Sequence, residues 1–251
     1  MNNIIMPFII STLAGLSTII GSLFVFLKID KKSYNKYITF CLSFSAAIMI
    51  GISIFDLIPE SFFLIYNEYG IFNTIILLIS SLIISYIIIT ILSNLLNKEN
   101  NTNYLYKLGI LNMIVLILHN LPEGIATFLS SYQNISLGLR LSIAIMLHNI
   151  PEGISIAVPI YYATGSLKKA FKATFISGIA EPIGAILSLL FLKNYMSDTL
   201  ISTILIVVAG LMITLSIEEL IPRSIKYKEN KYLYLGLLIG LTTIIINVLF
   251  F

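Results

Sequence analysis

The sequence predicts an all-α protein that crosses a membrane eight times, and its composition and the length of its apolar runs carry this prediction. Apolar residues make up 58% of the 251 residues and charged residues only 11%, whereas soluble domains usually contain roughly 25% charged residues. The apolar runs reach the roughly 20 residues that a helix needs to cross the hydrocarbon core of a bilayer. These runs are too long for the strands of a β-barrel, and they lack the alternation of apolar and polar residues that such strands show.

Eight apolar segments define the predicted spans, numbered 1 to 8 in chain order. The connections between them are short, so the whole chain, 1–251, is expected to form a single transmembrane domain. The first span follows no basic stretch and is long enough to cross the bilayer, unlike a removable signal peptide. The spans cover about 7–27, 38–63, 71–96, 109–130, 139–161, 171–192, 200–222 and 233–251.

Basic residues are concentrated in alternate connections. The connections after spans 1, 3, 5 and 7 hold 13 of the 15 basic residues, and the other side holds only Arg140 and Lys193. Because Lys and Arg mark the cytoplasmic side, both termini are expected outside a plasma or inner membrane. The net charge of +3 is too small to indicate nucleic-acid binding, so the lipid bilayer is the expected surrounding. The sequence leaves the oligomeric state open, with a homodimer as one expectation.

Acidic residues, unlike basic ones, occur within or at the ends of the apolar spans. A charged carboxylate at the bilayer centre costs at least about 2.5 kcal/mol, so such a residue is a functional candidate by default. No Lys or Arg is expected at the same depth to pair with them, which predicts a mobile cation as their partner. Seven of the 12 acids belong to this group: Asp56, Glu60, Glu123, Glu152, Glu181, Glu218 and Glu219.

An internal repeat places histidine beside two of these acids. Span 4 contains His119-Asn-Leu-Pro-Glu-Gly-Ile125, and span 5 contains His148-Asn-Ile-Pro-Glu-Gly-Ile154, with six of seven positions identical. His119 and His148 are the only histidines in the chain. Residues at i and i+4 share one helix face, so each motif presents an imidazole and a carboxylate together.

The chemistry of these groups predicts a metal site. Neutral imidazole and carboxylate suit zinc and other late divalent ions, and two ionised glutamates balance the charge of one such ion. The short connection between spans 4 and 5 predicts an antiparallel pair with both motifs at similar depth. The motif glycines, Gly124 and Gly153, allow close helix approach where polar groups meet.

A second, shorter repeat predicts related halves. Span 2 ends Asp56-Leu-Ile-Pro-Glu-Ser61, and span 7 ends Glu219-Leu-Ile-Pro-Arg-Ser224. The predicted topology puts these two ends on opposite sides of the membrane, as in inverted repeats around a midplane site. Spans 1–3 and 6–8 are therefore expected to be related halves around spans 4 and 5. Asp56 and Glu219 are candidate pathway residues at the outer and inner mouths, although ordinary solvation at a helix end explains them equally well.

These residues resemble the ZIP (Zrt/Irt-like) family of metal transporters, in particular its bacterial ZupT-type and GufA-type branch. The resemblance covers nearly the whole chain and includes 49–59, both His-Asn-x-Pro-Glu-Gly motifs, 177–182 and 215–222. It implies a transporter that moves metal inward and a binuclear site between spans 2, 4, 5 and 6. The implied ligands of the first metal are His119, Glu123, His148, Glu152 and Met49; those of the second are Asn120, Asn149 and Glu181, with Glu123 and Glu152 able to bridge.

The expected function is therefore import of Zn²⁺, with Fe²⁺, Mn²⁺, Co²⁺ and Cd²⁺ left open as further substrates, and no prosthetic group. Two alternatives remain. A membrane-embedded zinc hydrolase would also use His and Glu around a metal, but the HExxH motif is absent. A proton-coupled carrier of another substrate would use the same residues as a proton relay. Such a relay does not require two copies of a helix face that presents both His and Glu. The sequence predicts a transporter and not an enzyme.

Overall fold

The computed structural model describes residues 2–26, 33–97, 103–192 and 198–250, and its elements in these ranges are all helical. The predicted all-α class is confirmed. Five of the basic residues counted above (Lys28, Lys31, Lys32, Lys98 and Lys193) lie outside the described residues. The α-helices in chain order are α1 (Asn2–Ser22), α2 (Tyr34–Ile52), α3 (Ile58–Asn97), α4 (Tyr104–Gln133), α5 (Ile135–Thr164), α6 (Leu167–Gly178), α7 (Ala180–Leu187), α8 (Asp198–Leu215), α9 (Ile221–Lys226) and α10 (Asn230–Phe250).

Most of the predicted spans correspond to helical stretches that can cross a membrane. Within the described ranges, seven stretches are long and apolar enough, and the apolar part of α10, Asn230–Ile246, is a shorter candidate. Many large apolar side chains of α3 are about half exposed, among them Ile79, Ile83 and Ile87. Such a face would be unfavourable in water but suits lipid tails, which are as apolar as leucine.

The boundary between spans 2 and 3 is a single glycine inside α3. Gly70 has φ 76° and ψ 170°, a conformation outside the helical range. Residues with a Cβ rarely adopt a positive φ, whereas glycine does so readily. The predicted gap between spans 2 and 3, residues 64–70, therefore ends at the position where the helical path changes.

Spans 2 and 7 each contain a π-helical turn at the same point of the second repeat. The turns cover Ser53–Leu57 and Ser216–Leu220, and in each the N–H of the following isoleucine donates to the carbonyl of the first serine, five residues back. A proline follows each isoleucine; its ring clashes with the carbonyl four residues back, which accounts for the wider turn. Both copies read Ser-Ile-x-acid-Leu-Ile-Pro. The shared turn supports the repeat, while its inverted orientation stays a prediction.

The described helices form two compact units. Unit 1 contains α1 and α4–α7, and unit 2 contains α2, α3, α8, α9 and α10 up to Val248. Unit 1 thus holds spans 1, 4, 5 and 6, and unit 2 holds spans 2, 3, 7 and 8. The spans that correspond in the predicted repeat (1 with 6, 2 with 7, 3 with 8) fall in the same unit. The single transmembrane domain stays a prediction.

Unit 1 is built around the antiparallel pair α4 and α5. Asn134 alone separates these helices, and its side chain accepts a hydrogen bond from the N–H of Ser136 at 2.9 Å. α1, α6 and α7 pack against the pair. The α6–α7 boundary at Ile179 places Glu181 in the first turn of α7. The helices that carry the motif residues of spans 4, 5 and 6, namely α4, α5, α6 and α7, therefore pack together in unit 1.

Candidate metal centre

Both His-Asn-x-Pro-Glu-Gly motifs lie in the middle of long, uninterrupted helices. His119 and Glu123 belong to α4, and His148 and Glu152 belong to α5. The motif prolines are accommodated without a break in either helix. All four side chains are buried, with exposed fractions between 0% and 4%. The predicted meeting of the two motifs at similar depth is therefore observed.

The four side chains converge on each other across the α4–α5 interface. Glu123 Oε1 lies 3.2 Å from His119 Nε2 and 3.0 Å from His148 Nε2. Glu152 Oε1 lies 3.4 Å from His119 Nε2. The donor atoms of His119, Glu123 and His148 all lie within 4.8 Å of one another. One carboxylate thus bridges the two imidazoles, and the second carboxylate contacts one of them.

These separations fit ligands that share one metal ion. Zinc binds imidazole nitrogen and carboxylate oxygen at about 2.0–2.2 Å in a tetrahedron, which places neighbouring ligand atoms about 3.4 Å apart. Three further carboxylate oxygens receive no hydrogen bond from any described residue, namely Glu123 Oε2 and both oxygens of Glu152. Because a buried polar atom without a partner costs about 1–3 kcal/mol, this donor set is suited to a cation that fills the missing interactions.

The buried glutamates of the cluster are not neutralised by lysine or arginine. Within the described part of the chain, the groups at ion-pair distance from Glu123 and Glu152 are the imidazoles of His119 and His148. Imidazole ligates metals in its neutral form, so the two carboxylates retain negative charge that a divalent ion can balance. This arrangement agrees with the electrostatic argument made from the sequence.

The residues expected at a second metal lie directly beside the first group. Asn149 Nδ2 donates to Glu181 Oε1 at 2.5 Å and to the carbonyl of Ala14 at 3.0 Å. Asn120 Nδ2 donates to the carbonyl of Ser177 at 3.2 Å. All three predicted side chains are fully buried. The Oδ1 atoms of both asparagines and Glu181 Oε2 accept no hydrogen bond from the described residues, so each retains an oxygen for a ligand.

The motif glycines allow the backbone of neighbouring helices to lie close to the predicted ligands. A Cβ on Gly124 would collide with the backbone carbonyl of Glu181, and a Cβ on Gly153 would collide with the carbonyl of Thr18. The first contact brings α7 against α4 at the level of Glu123, which places Glu181 beside the cluster. The close approach predicted from these glycines is confirmed.

α1 supports the site, and the sequence reasoning did not identify this role. The carbonyl of Ala14 orients the Asn149 amide, and Ser11 Oγ donates to the carbonyl of Gly124 at 3.3 Å. A Cβ on Gly15 would collide with the carbonyl of Gly178. The small residues of α1 were the available signal, but nothing in the sequence specifies which carbonyl they would present to which helix.

The remaining predicted site residues belong to unit 2. Met49 is fully buried in α2. Asp56 is exposed within the first π-helical turn, and Glu218 is exposed within the second. The side chain of Glu60 lies outside the described residues. Their roles as ligand or pathway residues stay predictions.

Glu219 corrects one expectation from the sequence. Its carboxylate accepts hydrogen bonds from Arg223 Nη2 at 2.9 Å and from Ser93 Oγ at 2.8 Å. The prediction that no basic residue lies at the depth of the acids is therefore wrong for Glu219. The reason is local: Arg223 follows by four residues, so helical geometry puts it on the same face.

Together, the helices and the buried ligands define a class, namely a multi-pass α-helical membrane protein with an internal site suited to a divalent metal. A family profile described as ZIP Zinc transporter matches residues 96–247. The chain belongs to this family, and the resemblance seen in its motifs is confirmed.

Relatives of nearly the same length support the family assignment. A protein of Clostridium perfringens named Zinc transporter ZupT is 35% identical over 100% of this chain and 98% of its own length. A protein of the same name from Oceanobacillus iheyensis is 36% identical over 99% of this chain and 99% of its own length. Another from Streptococcus mutans is 36% identical over 97% of this chain and 97% of its own length. The alignment thus includes both units.

Proposed function

We propose that this protein imports zinc into the cytoplasm through the buried His/Glu cluster of unit 1. The observation that carries the proposal is the convergence of His119, Glu123, His148 and Glu152, with N–O distances of 3.0–3.4 Å and no lysine or arginine paired to the two acids among the described residues. Family membership and the names of the relatives point in the same direction.

The second group of ligands supports two metal positions in one site. Asn120, Asn149 and Glu181 supply oxygen atoms next to the first cluster, and Glu123 and Glu152 are the shared carboxylates. Oxygen donors accept many divalent ions, and imidazole suits the late ones. We therefore include Fe²⁺, Mn²⁺, Co²⁺ and Cd²⁺ as candidate substrates beside Zn²⁺. The homodimer expected from the sequence remains part of this proposal.

The orientation of the chain follows from its basic residues. We place the connections after spans 1, 3, 5 and 7 in the cytoplasm and both termini outside the plasma membrane, because Lys and Arg concentrate on the cytoplasmic side. A membrane potential that is negative inside then draws a dication inward through the site. The family is one of transporters, which argues against the zinc hydrolase.

The first experiment measures zinc flux. Vesicles that contain the purified protein, with an inside-negative potential, are expected to accumulate radioactive zinc. Glu123→Ala and Glu152→Ala each remove a buried charge that balances the ion, so uptake is expected to fall to the level of vesicles without protein. Competition by the other four metals reports the selectivity.

The matched control is Glu68→Ala, which removes an exposed acid outside the predicted spans and should leave uptake unchanged. Normal uptake in both cluster variants would contradict the assignment of these residues. Turnover of a lipid or peptide without any net zinc flux would favour the hydrolase instead.

A further inference from the structure

Asn112 has the same hydrogen-bond arrangement as the two motif asparagines, although it lies outside both motifs. Its Nδ2 donates to the carbonyl of Ser155 at 2.7 Å, as Asn120 and Asn149 donate to carbonyls of Ser177 and Ala14. All three side chains are fully buried. In all three, Oδ1 accepts no hydrogen bond from the described residues.

The Ser155 carbonyl is available to Asn112 because of a proline one turn later. Pro159 lies inside α5, and since it has no N–H, it leaves the carbonyl four residues earlier without its helical donor. Asn112 supplies that donor from α4. Because a carbonyl can only accept, the contact also fixes the amide orientation: Nδ2 faces α5, and Oδ1 is left for another partner.

The register of α4 and α5 places Asn112 in line with the cluster. The rings of His119 and His148 face each other with centroids 6.2 Å apart, and Asn112 and Ser155 pair seven residues away on each antiparallel helix. Seven residues correspond to about 10 Å along the helix axis. Glu152 lies between these levels, one turn beyond His148 and three residues before Ser155.

Glu152, which lies between these two levels, has unsatisfied oxygens. Both of its carboxylate oxygens lack a hydrogen-bond donor among the described residues, as does Asn112 Oδ1. Leaving a buried acceptor unpaired costs about 1–3 kcal/mol, so a polar partner is favoured at these positions. A divalent ion that leaves the cluster along this interface would also need oxygen ligands, because a bare charge is strongly disfavoured in an apolar core.

We propose that Asn112 Oδ1 and the Glu152 carboxylate form an oxygen-ligand station for a partly hydrated divalent metal ion, next to the His/Glu cluster. The station rests on the proposed function. It lies toward the N-terminal end of α4, which is the cytoplasmic end in the proposed orientation, so it acts in release of the metal. Carboxylate, amide carbonyl and water are the ligands that hard or hydrated divalent ions accept.

A cysteine probe tests whether metal reaches Asn112. Cys41 is the only cysteine in the chain, so Cys41→Ala gives a thiol-free background. Asn112→Cys in that background is expected to give a thiolate-to-metal charge-transfer band when Cd²⁺ is added, because thiolate is a strong ligand for soft divalent ions. Adding Glu152→Ala should weaken Cd²⁺ binding at this cysteine about tenfold or more.

The matched control is Ser85→Cys in the same background. Ser85 is fully buried in unit 2, with its hydroxyl already bonded to the carbonyls of Ser81 and Val207. It tests whether any buried thiol recruits Cd²⁺, and no band is expected. Variants are compared after size-exclusion chromatography, so that only folded protein is measured.

Transport separates a ligand from a purely structural amide. Asn112→Leu should lower zinc uptake about tenfold, the scale of losing one group that supports a metal, while zinc affinity at the cluster stays close to that of the unmodified protein. Asn112→Asp loses the donor to Ser155 but keeps an oxygen, so it should retain more uptake than Asn112→Leu. A structural role alone predicts that both variants lose uptake and stability together.

Absence of the Cd²⁺ band from folded Asn112→Cys protein overturns the station, and so does wild-type uptake by Asn112→Leu. The proposed function fails independently, if the unmodified protein takes up no zinc. Because the charge-transfer band does not depend on flux, the two failures are distinguishable.

Discussion

Glu123 and Glu219 are both buried acids, but different groups surround them. Glu123 contacts two imidazoles at 3.0 and 3.2 Å, and imidazole can be neutral and bind metal. Glu219 contacts the guanidinium of Arg223 at 2.9 Å, and that group is always charged. The negative charge of Glu219 is therefore balanced by Arg223 within the protein. The negative charge of Glu123 has only imidazoles beside it at ion-pair distance among the described residues, so it is available to balance a metal ion. This difference favours a structural role for Glu219.

The ion pair predicts a non-additive effect on stability. Arg223→Met leaves the carboxylate of Glu219 buried without its cation, so the free energy of unfolding should fall by about 1–3 kcal/mol. The double variant Glu219→Gln with Arg223→Met removes both charges and should recover much of that loss. Titration with a denaturing detergent measures the free energies. Lys231→Met, at an exposed position, is the control, and strictly additive losses would contradict the structural pair.

At the scale of helices, the site depends on how closely α7 and α1 approach the α4–α5 pair. Gly124 lies against the backbone of Glu181, and Gly153 lies against the carbonyl of Thr18. Asn149 connects Glu181 and Ala14 through one amide. Small residues allow this approach, and in a bilayer such packing, together with interhelical hydrogen bonds, holds helices together. The second group of predicted ligands is therefore positioned by packing and not by its own helix alone.

Gly124→Ala tests this packing. The added methyl group would collide with the Glu181 carbonyl, so α7 must move away from α4. The expected result is a loss of about 1–3 kcal/mol in stability from overpacking, together with slower zinc uptake because Glu181 is displaced. Thermal unfolding in detergent and vesicle uptake measure the two effects. Ala144→Val adds more volume at a half-buried position of α5; equal losses in both variants would argue against the specific contact.

At the scale of the whole chain, the predicted ligands separate into two groups. His119, Glu123, His148, Glu152 and the second-site residues all belong to unit 1, whereas Met49, Asp56 and Glu219 belong to unit 2. Unit 1 can therefore hold the ion with its own side chains. The direction in which the ion crosses depends on the orientation of all eight spans, which the charge distribution predicts.

The orientation has a direct test. With 13 of 15 basic residues in alternate connections, the positive-inside rule predicts that both termini are extracellular. Short epitope tags on the N-terminus and on the C-terminus should each be cleaved by protease added to intact cells. A tag inserted between Gly165 and Ser166, in the connection between α5 and α6, should be protected until the cells are opened. Protection of either terminal tag in intact cells would contradict an eight-span topology with outward ends.

The sequence by itself determined the helical class, the approximate spans and the residue types that meet in the buried cluster. Hydropathy sets the spans because the bilayer has a fixed thickness, and the repeated His-x-x-x-Glu spacing sets the ligand face because helical geometry is fixed. Arg223, four residues after Glu219, was also visible in the sequence, but its pairing depended on burial. Only the tertiary structure decided that Asn149 meets Ala14, that Gly124 meets Glu181 and that Asn112 bonds to Ser155. These partners are 43 to 135 residues apart, and contacts over such separations depend on how helices pack, which no local pattern encodes.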